Sequence, residues 1–321
     1  MIQEIHFFGT SHTAGGGFEF TSNILHENTG KSRGEFLKSV YQNLFPNEEY
    51  TQENFSFHGQ FERLCKERDL NIKILNHGKQ GYGNERMYRK FFEVIKNKNF
   101  KKENTLFIFE FSDIERKEVF YKPLNDFVII NYFATTRNFY TNEIKIPKKP
   151  HEELSSVARS YWYESSNDLD ILENDKKFFE NYVEKLIDGK TQLDELNRNN
   201  IFFLNFLKSN NFNFLISEIH NCFDTSLIDY VNFVNDSKVR YMDSNNIEYK
   251  GLLDFVHKNQ LLIIDETSEK IGDLHQGFLA NKLIAKNIFN YCIDSGYINE
   301  IKIEIKKEDF LKPKIKKTEI L

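Results

Sequence analysis

Three short stretches of the chain carry residue types that together suit acyl transfer. Ser11 lies in GTSHTAGGG, directly after an apolar, strand-like run, and the glycine-rich stretch NHGKQGYGN follows a second such run at 76–84. Near the other end of the chain, Asp273 stands two residues before His275. An Asp can orient an imidazole, which then takes the proton of a serine hydroxyl as the serine attacks a carbonyl carbon. The combination therefore favours nucleophilic catalysis by a serine.

Each stretch, taken singly, also has an ordinary structural explanation. A serine after a strand commonly starts a turn, and an Asp or His near the start of a helix commonly caps it. The glycines at 76–84 suit either a tight turn or an anion-binding loop. A dinucleotide loop and a P-loop are excluded there, because the stretch has neither the G-x-G-x-x-G order nor a G-K-[ST] sequence at the right spacing. The order of the three stretches along the chain is what favours chemistry.

The elements that must position these residues follow the pattern of a parallel α/β sheet. Strand-like runs alternate with amphipathic helical segments, the strands at 4–8, 71–78 and 105–111 and the helices at 31–45, 56–68 and 84–97. Ser56 is predicted to cap the second of these helices. The run at 105–111 is continuously apolar, as expected of a central strand covered on both faces. The alternation predicts a doubly wound sheet whose functional loops lie at the carboxyl ends of its strands.

The middle and the end of the chain depart from this alternation. Short aromatic strands are predicted within 117–165, and two helices at 168–188 and 190–209, so that about 120–210 is expected to be a helical insertion. The α/β pattern resumes at 211–219 and 260–266, and a last helix follows the loop that begins at 272. Alternating apolar and charged residues at 298–305 predict an edge strand before a basic tail. The expected organisation is one catalytic domain over 1–297, followed by that strand and tail over 298–321.

Composition limits the classes of partner. The 321 residues carry a formal charge of −5, which gives no support for a nucleic-acid partner. No apolar run reaches the roughly 20 residues of a membrane span, and the N-terminus lacks the pattern of a secretory signal. A cytoplasmic location is therefore expected, with release as part of a virion left open. Cys65, Cys222 and Cys292 are too scattered for a zinc site or a disulfide framework, and neither a metal nor an organic cofactor is expected.

On these residues the sequence resembles the SGNH (GDSL-like) hydrolase superfamily. FFGTSHTAGGG is similar to its first block, with Ser11 in the nucleophile position. NHGKQGYG is similar to its second block, with Gly81 as an oxyanion donor, and GDLHQGFLANKLIA to its last, with His275 as base and Asp273 as its acidic partner. The resemblance spans residues 4 to about 292 and implies a three-layer α/β/α sandwich with a mostly parallel, doubly wound sheet.

The chain departs from the family pattern at three places. Thr10 replaces the usual acidic residue before the serine, and the Asp–His spacing is two residues instead of three. The third block, FEFSDIER at 109–116, lacks the usual oxyanion-hole asparagine. Ser112 or a backbone N–H must then serve beside the N–H groups of Ser11 and Gly81. Losing one oxyanion donor lowers a rate by roughly 10²–10³-fold.

The resemblance implies hydrolysis of an O-acyl ester, expected to be an O-acetyl ester of a carbohydrate. Ser11 would attack the carbonyl carbon, His275 would move the proton, and Asp273 would orient the imidazole. Two alternatives stay open: an O-acetyltransferase that uses the same triad, and a catalytically poor glycan-binding or scaffold protein. Further residues expected to contact the substrate are His12, His77, Asn84 and Arg116.

Overall fold

The computed structural model of the chain describes residues 2–16, 18, 20, 32–79, 83–112, 116–122, 126–131, 136–138, 143–145, 161–163, 189–219, 236–267 and 275–312. The strands are β1 (Glu4–Phe8), β2 (Lys73–Asn76), β3 (Thr105–Phe111), β4 (Arg116–Tyr121), β5 (Asp126–Asn131), β6 (Thr136–Asn138), β7 (Glu143–Lys145), β8 (Tyr161–Tyr163), β9 (Asn213–Glu218), β10 (Tyr241–Met242) and β11 (Glu248–Tyr249). The helices are α1 (Ser11–Ala14), α2 (Arg33–Leu44), α3 (Gln52–Phe55), α4 (Phe57–Glu67), α5 (Asn84–Ile95), α6 (Gly189–Ser209), α7 (Leu252–Lys258), α8 (Ile263–Thr267) and α9 (Phe278–Asp294), with 3₁₀ turns at Lys102–Asn104 and Lys307–Phe310.

A four-stranded parallel sheet forms the centre of the fold, in the order β2-β1-β3-β9. The predicted α/β class is therefore confirmed. All seven residues of β3 are buried, as the apolar run at 105–111 predicted. Because all four strands are parallel, their carboxyl ends meet at one edge of the sheet. The turns that follow β1, β2 and β3 therefore start from the same edge.

Alternate residues of the strands contribute to two separate apolar clusters. Leu106 and Ile108 of β3 belong to a cluster that also contains side chains of α4 and α9. Phe107 and Phe109 belong to a second cluster, together with side chains of α5 and α6. Burial of each such side chain stabilises the fold by roughly 1.5–3 kcal/mol relative to exposure. The period of two along β3 thus fixes which helices cover which face.

Helix starts follow local capping chemistry. The Ser56 hydroxyl accepts the Gly59 N–H at 3.2 Å, which confirms Ser56 as the cap of α4. Ser32 and Glu35 form a reciprocal capping box at the start of α2. Both devices satisfy N–H groups that have no partner within their own helix.

The segment predicted as a helical insertion contains strands as well as a helix. The described strands within 116–163 form a three-stranded antiparallel sheet, β4-β5-β8, and a separate pair, β6-β7. Helix α6 corresponds to the helix predicted at 190–209. The helix predicted at 168–188 lies outside the described residues. Among the helices that the structure does describe, none combines the length and the apolar character needed to cross a membrane.

Two late segments differ from their predicted form. At 260–266 the chain forms α8 and a single bridge between Leu262 and Gln276, not a strand of the sheet. Residues 298–306 join no sheet, in contrast to the predicted edge strand. The Asn290 side chain instead accepts the Ile303 N–H at 2.7 Å and donates to the Ile303 carbonyl at 2.8 Å. A side chain of α9 therefore supplies the hydrogen bonds that a neighbouring strand would have supplied.

Of the predicted core thiols, Cys65 and Cys292 are buried and not oxidised to a disulfide. Burial raises the pKa of the Cys65 thiol to about 12. A thiol with so high a pKa is not a nucleophile near neutral pH, because the thiolate is the reactive form. Both residues act as small core side chains, and Cys222 lies outside the described residues.

Candidate active site

Ser11 is the first residue of α1, and Gly9 and Thr10 separate it from the carboxyl end of β1. The Ala14 N–H donates to the Thr10 carbonyl at 2.9 Å, which closes the first helical turn. Residues 11–14 are therefore helical. A Cβ on Gly9 would overlap the Thr13 hydroxyl and lie 2.7 Å from the Cβ of Glu110, so this close approach requires glycine. The side chain of Ser11 lies outside the described residues.

A buried carboxyl group lies beneath this turn. Glu110 of β3 is only 1% exposed. One of its oxygens accepts the N–H of Thr10 at 3.2 Å and the Thr10 hydroxyl at 2.8 Å, and the other accepts the Thr13 hydroxyl at 2.7 Å. Burial raises the pKa of Glu110, while these hydrogen bonds and the charge of His275 oppose the rise. The carboxyl group thus binds the residues on both sides of Ser11 and His12.

His275 packs against the residue next to Ser11. The rings of His12 and His275 have their centroids 5.0 Å apart, with 49° between their planes. The side chain of Gln276 makes two hydrogen bonds to His12. Its amide oxygen accepts from His12 Nδ1, and its Nε2 donates to the His12 backbone carbonyl at 3.1 Å. The turn after β1 and the turn before α9 are therefore directly joined, although 264 positions separate His12 from Gln276.

The His275 turn is fixed on its other side by the segment that leads into α8. The Ile263 N–H donates to the His275 carbonyl at 3.1 Å, and the Gly277 N–H donates to the Leu261 carbonyl at 2.7 Å. These bonds set the backbone on both sides of Gln276. The imidazole of His275 stays half-buried at the end of this ordered backbone.

A second buried carboxyl group caps α9 just after this turn. Glu266 accepts the Phe278 N–H at 2.8 Å, the Leu279 N–H at 2.6 Å and the Tyr41 hydroxyl at 3.0 Å. Burial raises the pKa of Glu266 to about 7, despite these hydrogen bonds. A Cβ on Gly277 would lie 2.6 Å from one carboxylate oxygen and closer still to the other, so only glycine lets the carboxyl group reach the helix end.

The predicted residues Asn84 and Ser112 also come together at this edge. The Asn84 side chain accepts the Ser112 N–H at 2.9 Å and donates to the Ser112 carbonyl at 3.0 Å. The Ser112 hydroxyl lies 3.3 Å from the same Asn84 oxygen. Asn84 thereby ties the start of α5 to the end of β3. These bonds direct the Ser112 N–H toward Asn84, and its role as an oxyanion donor stays a prediction.

His77 lies within a group of stacked rings. Its Nε2 is 2.9 Å from Nδ1 of His6, and its ring centroid is 4.5 Å from that of Phe8. Burial lowers the pKa of His77 to about 4, with a smaller effect from the charge of His6. The imidazole is thus neutral near pH 7, and its ring is half-buried within this stack. Its predicted contact with substrate remains untested.

The remaining predicted residues are only partly visible. Gly81 and Asp273 lie outside the described residues, and of Arg116 only the backbone, in β4, is described. In the described part of the chain, no group of three or more His, Cys, Asp or Glu side chains is arranged to hold a metal ion. The structure therefore brings together the neighbours of Ser11 with His275, and separately Asn84 with Ser112.

Sequence reasoning missed the residues that support the two turns. Glu110 interrupts an otherwise apolar strand, TLFIFEF, and one acid in a buried strand is a signal that was available. Gln276 and Glu266 carry no comparable signal, because their roles depend on contacts between distant segments. Comparison with protein-family models gives no match, and no curated protein matches the chain.

Proposed function

We propose that the protein is a serine-dependent ester hydrolase of the SGNH type, with Ser11 as nucleophile and His275 as general base. The observation that supports this most directly is the contact between His275 and His12, the residue next to Ser11. A base must come within hydrogen-bond reach of its nucleophile, and the fold joins these two turns from opposite ends of the chain. The apolar clusters on the parallel sheet suit the three-layer domain that such an enzyme requires.

In the proposed reaction, the Ser11 oxygen forms a bond to the ester carbonyl carbon while its proton passes to His275. The proton then goes to the leaving alcohol as the ester C–O bond breaks, which leaves an acyl-enzyme. Water, activated by His275, releases the acid and restores the serine. Asp273 orients the imidazole, and the N–H groups of Ser11 and Gly81 stabilise the oxyanion.

The proposed substrate is an O-acetyl ester of a carbohydrate. Transfer of the acetyl group to an alcohol is the same chemistry with a different acceptor, so product analysis distinguishes hydrolysis from transfer. Free acetate as the product from an O-acetylated glycan supports hydrolysis. Acetate that appears on a second alcohol supports the acetyltransferase alternative.

The test is labelling by a fluorophosphonate probe, measured together with turnover of p-nitrophenyl acetate. Ser11→Ala and His275→Ala are expected to abolish both signals. Ser39→Ala in α2 and His257→Ala in α7 are matched controls on other elements, and both are expected to keep wild-type labelling and turnover. A folded wild-type protein without labelling would contradict the proposal, as would labelling that persists in Ser11→Ala.

One observation favours a second candidate, a glycan-binding protein with little catalytic power. The third-block asparagine that would serve as an oxyanion donor is missing, and the Ser112 N–H, which could take its place, donates to Asn84 instead. A binding protein would take up O-acetylated glycan without releasing acetate. Calorimetric titration that detects binding by the wild type, combined with no labelling and no turnover, would favour this candidate over hydrolysis.

A further inference from the structure

Glu110 is a charged residue in a place that otherwise holds apolar side chains. It is the one charged residue of β3, in the interior of the sheet, with β1 on one side and β9 on the other. Its register partner on β9 is Ser217. An ionisable group so deeply buried requires hydrogen bonds or a charge to compensate for lost hydration.

All hydrogen bonds assigned above to Glu110 come from the turn that contains Ser11. Thr10 precedes Ser11 and Thr13 follows it by two residues, and the two threonines occupy different oxygens of the carboxyl group. The turn cannot rotate or lift from the sheet without breaking at least one of these bonds. Gly9 adds to the constraint, because its missing side chain lets the turn approach Glu110 closely. The carboxyl group therefore sets the position of the Ser11 backbone.

The charge of His275 also acts on Glu110. It lowers the pKa of the carboxyl group and so opposes the effect of burial. Tyr241 of β10 also senses Glu110, whose charge contributes to the raised pKa of that phenol. The direct contacts of the carboxyl group are thus those to the two threonines of the turn.

We propose that Glu110 is a positioning residue for the hydrolytic site: it holds the Ser11 turn through its hydrogen bonds to Thr10 and Thr13. This inference rests on the proposed ester hydrolysis. A turn held in one position keeps the nucleophile oriented toward the ester carbonyl, which lowers the barrier to its attack. Glu110 touches neither substrate nor reacting atoms, and acts through the residues that do.

The test compares Glu110→Gln with the wild type in p-nitrophenyl acetate turnover. Gln keeps the size of the side chain, but it replaces one of the two acceptor oxygens with an amide nitrogen that can only donate. We expect kcat to fall by about 10–100-fold, with a much smaller change in KM, because a misplaced nucleophile loses mostly the chemical step.

A pair of variants at Thr13 tests the hydrogen bonds in this inference. Thr13→Val removes the hydroxyl donor at nearly constant shape, and Thr13→Ser keeps the donor. We expect fluorophosphonate labelling to slow by about 10-fold in the valine variant and to stay near wild type in the serine variant. A merely steric role for Thr13 would give the opposite order, since valine preserves the shape better than serine does.

Glu218→Gln is the matched control for the loss of a buried acid. Glu218 is 1% exposed, lies on the neighbouring strand β9 and pairs with Lys238. Because side chains alternate along a strand, it faces the side of the sheet opposite to Ser217, the register partner of Glu110. We expect this variant to lose stability but to keep the wild-type kcat.

The outcomes separate this inference from the function on which it rests. An active wild type whose Glu110→Gln variant keeps the same kcat overturns the role of Glu110 alone. A fall in kcat that Glu218→Gln reproduces equally also overturns it, because the effect would then be general destabilisation. A wild type without labelling or turnover overturns the proposed hydrolysis and this inference together.

Discussion

Glu266 offers the sharpest test of the electrostatics beneath the His275 turn. Its carboxyl group is 2% exposed and accepts the first N–H groups of α9. Burial disfavours the ionised form more strongly than these donors favour it, so the pKa rises from 4.5 to about 7. We predict that Glu266→Gln removes the part of the pH dependence of the unfolding free energy that arises between about pH 4.5 and about pH 7.

The sign of this dependence follows from proton binding in the two states. Between about pH 4.5 and about pH 7, the unfolded chain has released the Glu266 proton while the native protein retains it. The free energy of unfolding therefore falls as the pH rises through this interval and levels off above it. Each unit of pKa difference corresponds to 1.36 kcal/mol, so a pKa raised from 4.5 to about 7 contributes about 3 kcal/mol.

The measurement is urea unfolding of the wild type and Glu266→Gln at about pH 5 and about pH 8. Other titrating groups contribute equally to both proteins and cancel in the difference. Between these two conditions, we expect the wild type to lose about 2–3 kcal/mol relative to the variant. Tyr41→Phe is the second variant: it removes a donor to the ionised carboxylate, so its stability should level off at a higher pH than that of the wild type. Parallel curves for the wild type and Glu266→Gln would refute the argument.

Two further predictions concern the scaffold of the site. Gly277→Ala should cost about 1–3 kcal/mol of stability in thermal unfolding, because the new Cβ meets the buried Glu266 carboxyl group. Gly296→Ala, at a positive φ but with open space around it, should cost only about 1 kcal/mol. Equal costs for the two variants would contradict the steric argument. Burial lowers the pKa of both His58 and His77 to about 4. As the pH drops from 6.5 to about 4, the unfolded chain therefore takes up protons that the native protein excludes. The free energy of unfolding should fall by up to about 3 kcal/mol per histidine over this interval. Urea unfolding of His58→Gln and His77→Phe should show a shallower fall in this interval, and an unchanged slope in both variants would argue against it.

The parts of the fold that could be predicted are those fixed by local pattern. A continuous apolar run has to be buried on both faces, which predicted β3 at the centre of the sheet. A serine before an amphipathic segment can satisfy exposed N–H groups, which predicted the Ser56 cap. The structure of the stretch at 298–305 could not be predicted from local pattern. Its alternation suits an edge strand, but Asn290 of α9 satisfies its backbone through a contact that no local pattern encodes.

In the candidate site, too, chain order predicted some features, whereas others depend on contacts between distant segments. The residue types and their chain order predicted that the Ser11 and His275 segments belong together, and the structure joins them through His12 and Gln276. The helical conformation at Ser11 was missed, because α1 is a single turn whose position depends on Glu110. Glu110 acquires its role only when β3 lies beside β1. A one-dimensional pattern shows that an acid is present in a strand but not which turn its carboxyl group will face.

The two buried carboxyl groups lie beside the two segments of the candidate site, and each carries a desolvation penalty. Apolar side chains at 110 and 266 would avoid the desolvation penalty of a buried ionisable group. The chain instead has Glu110 under the turn that carries Ser11, and Glu266 at the start of the helix that follows His275. Glu110 accepts backbone and hydroxyl donors of the Ser11 turn, and Glu266 accepts the first backbone N–H groups of α9. Destabilised groups held by their surroundings are typical of functional sites. Their coincidence with both halves of the proposed nucleophile–base pair is what a preorganised site requires.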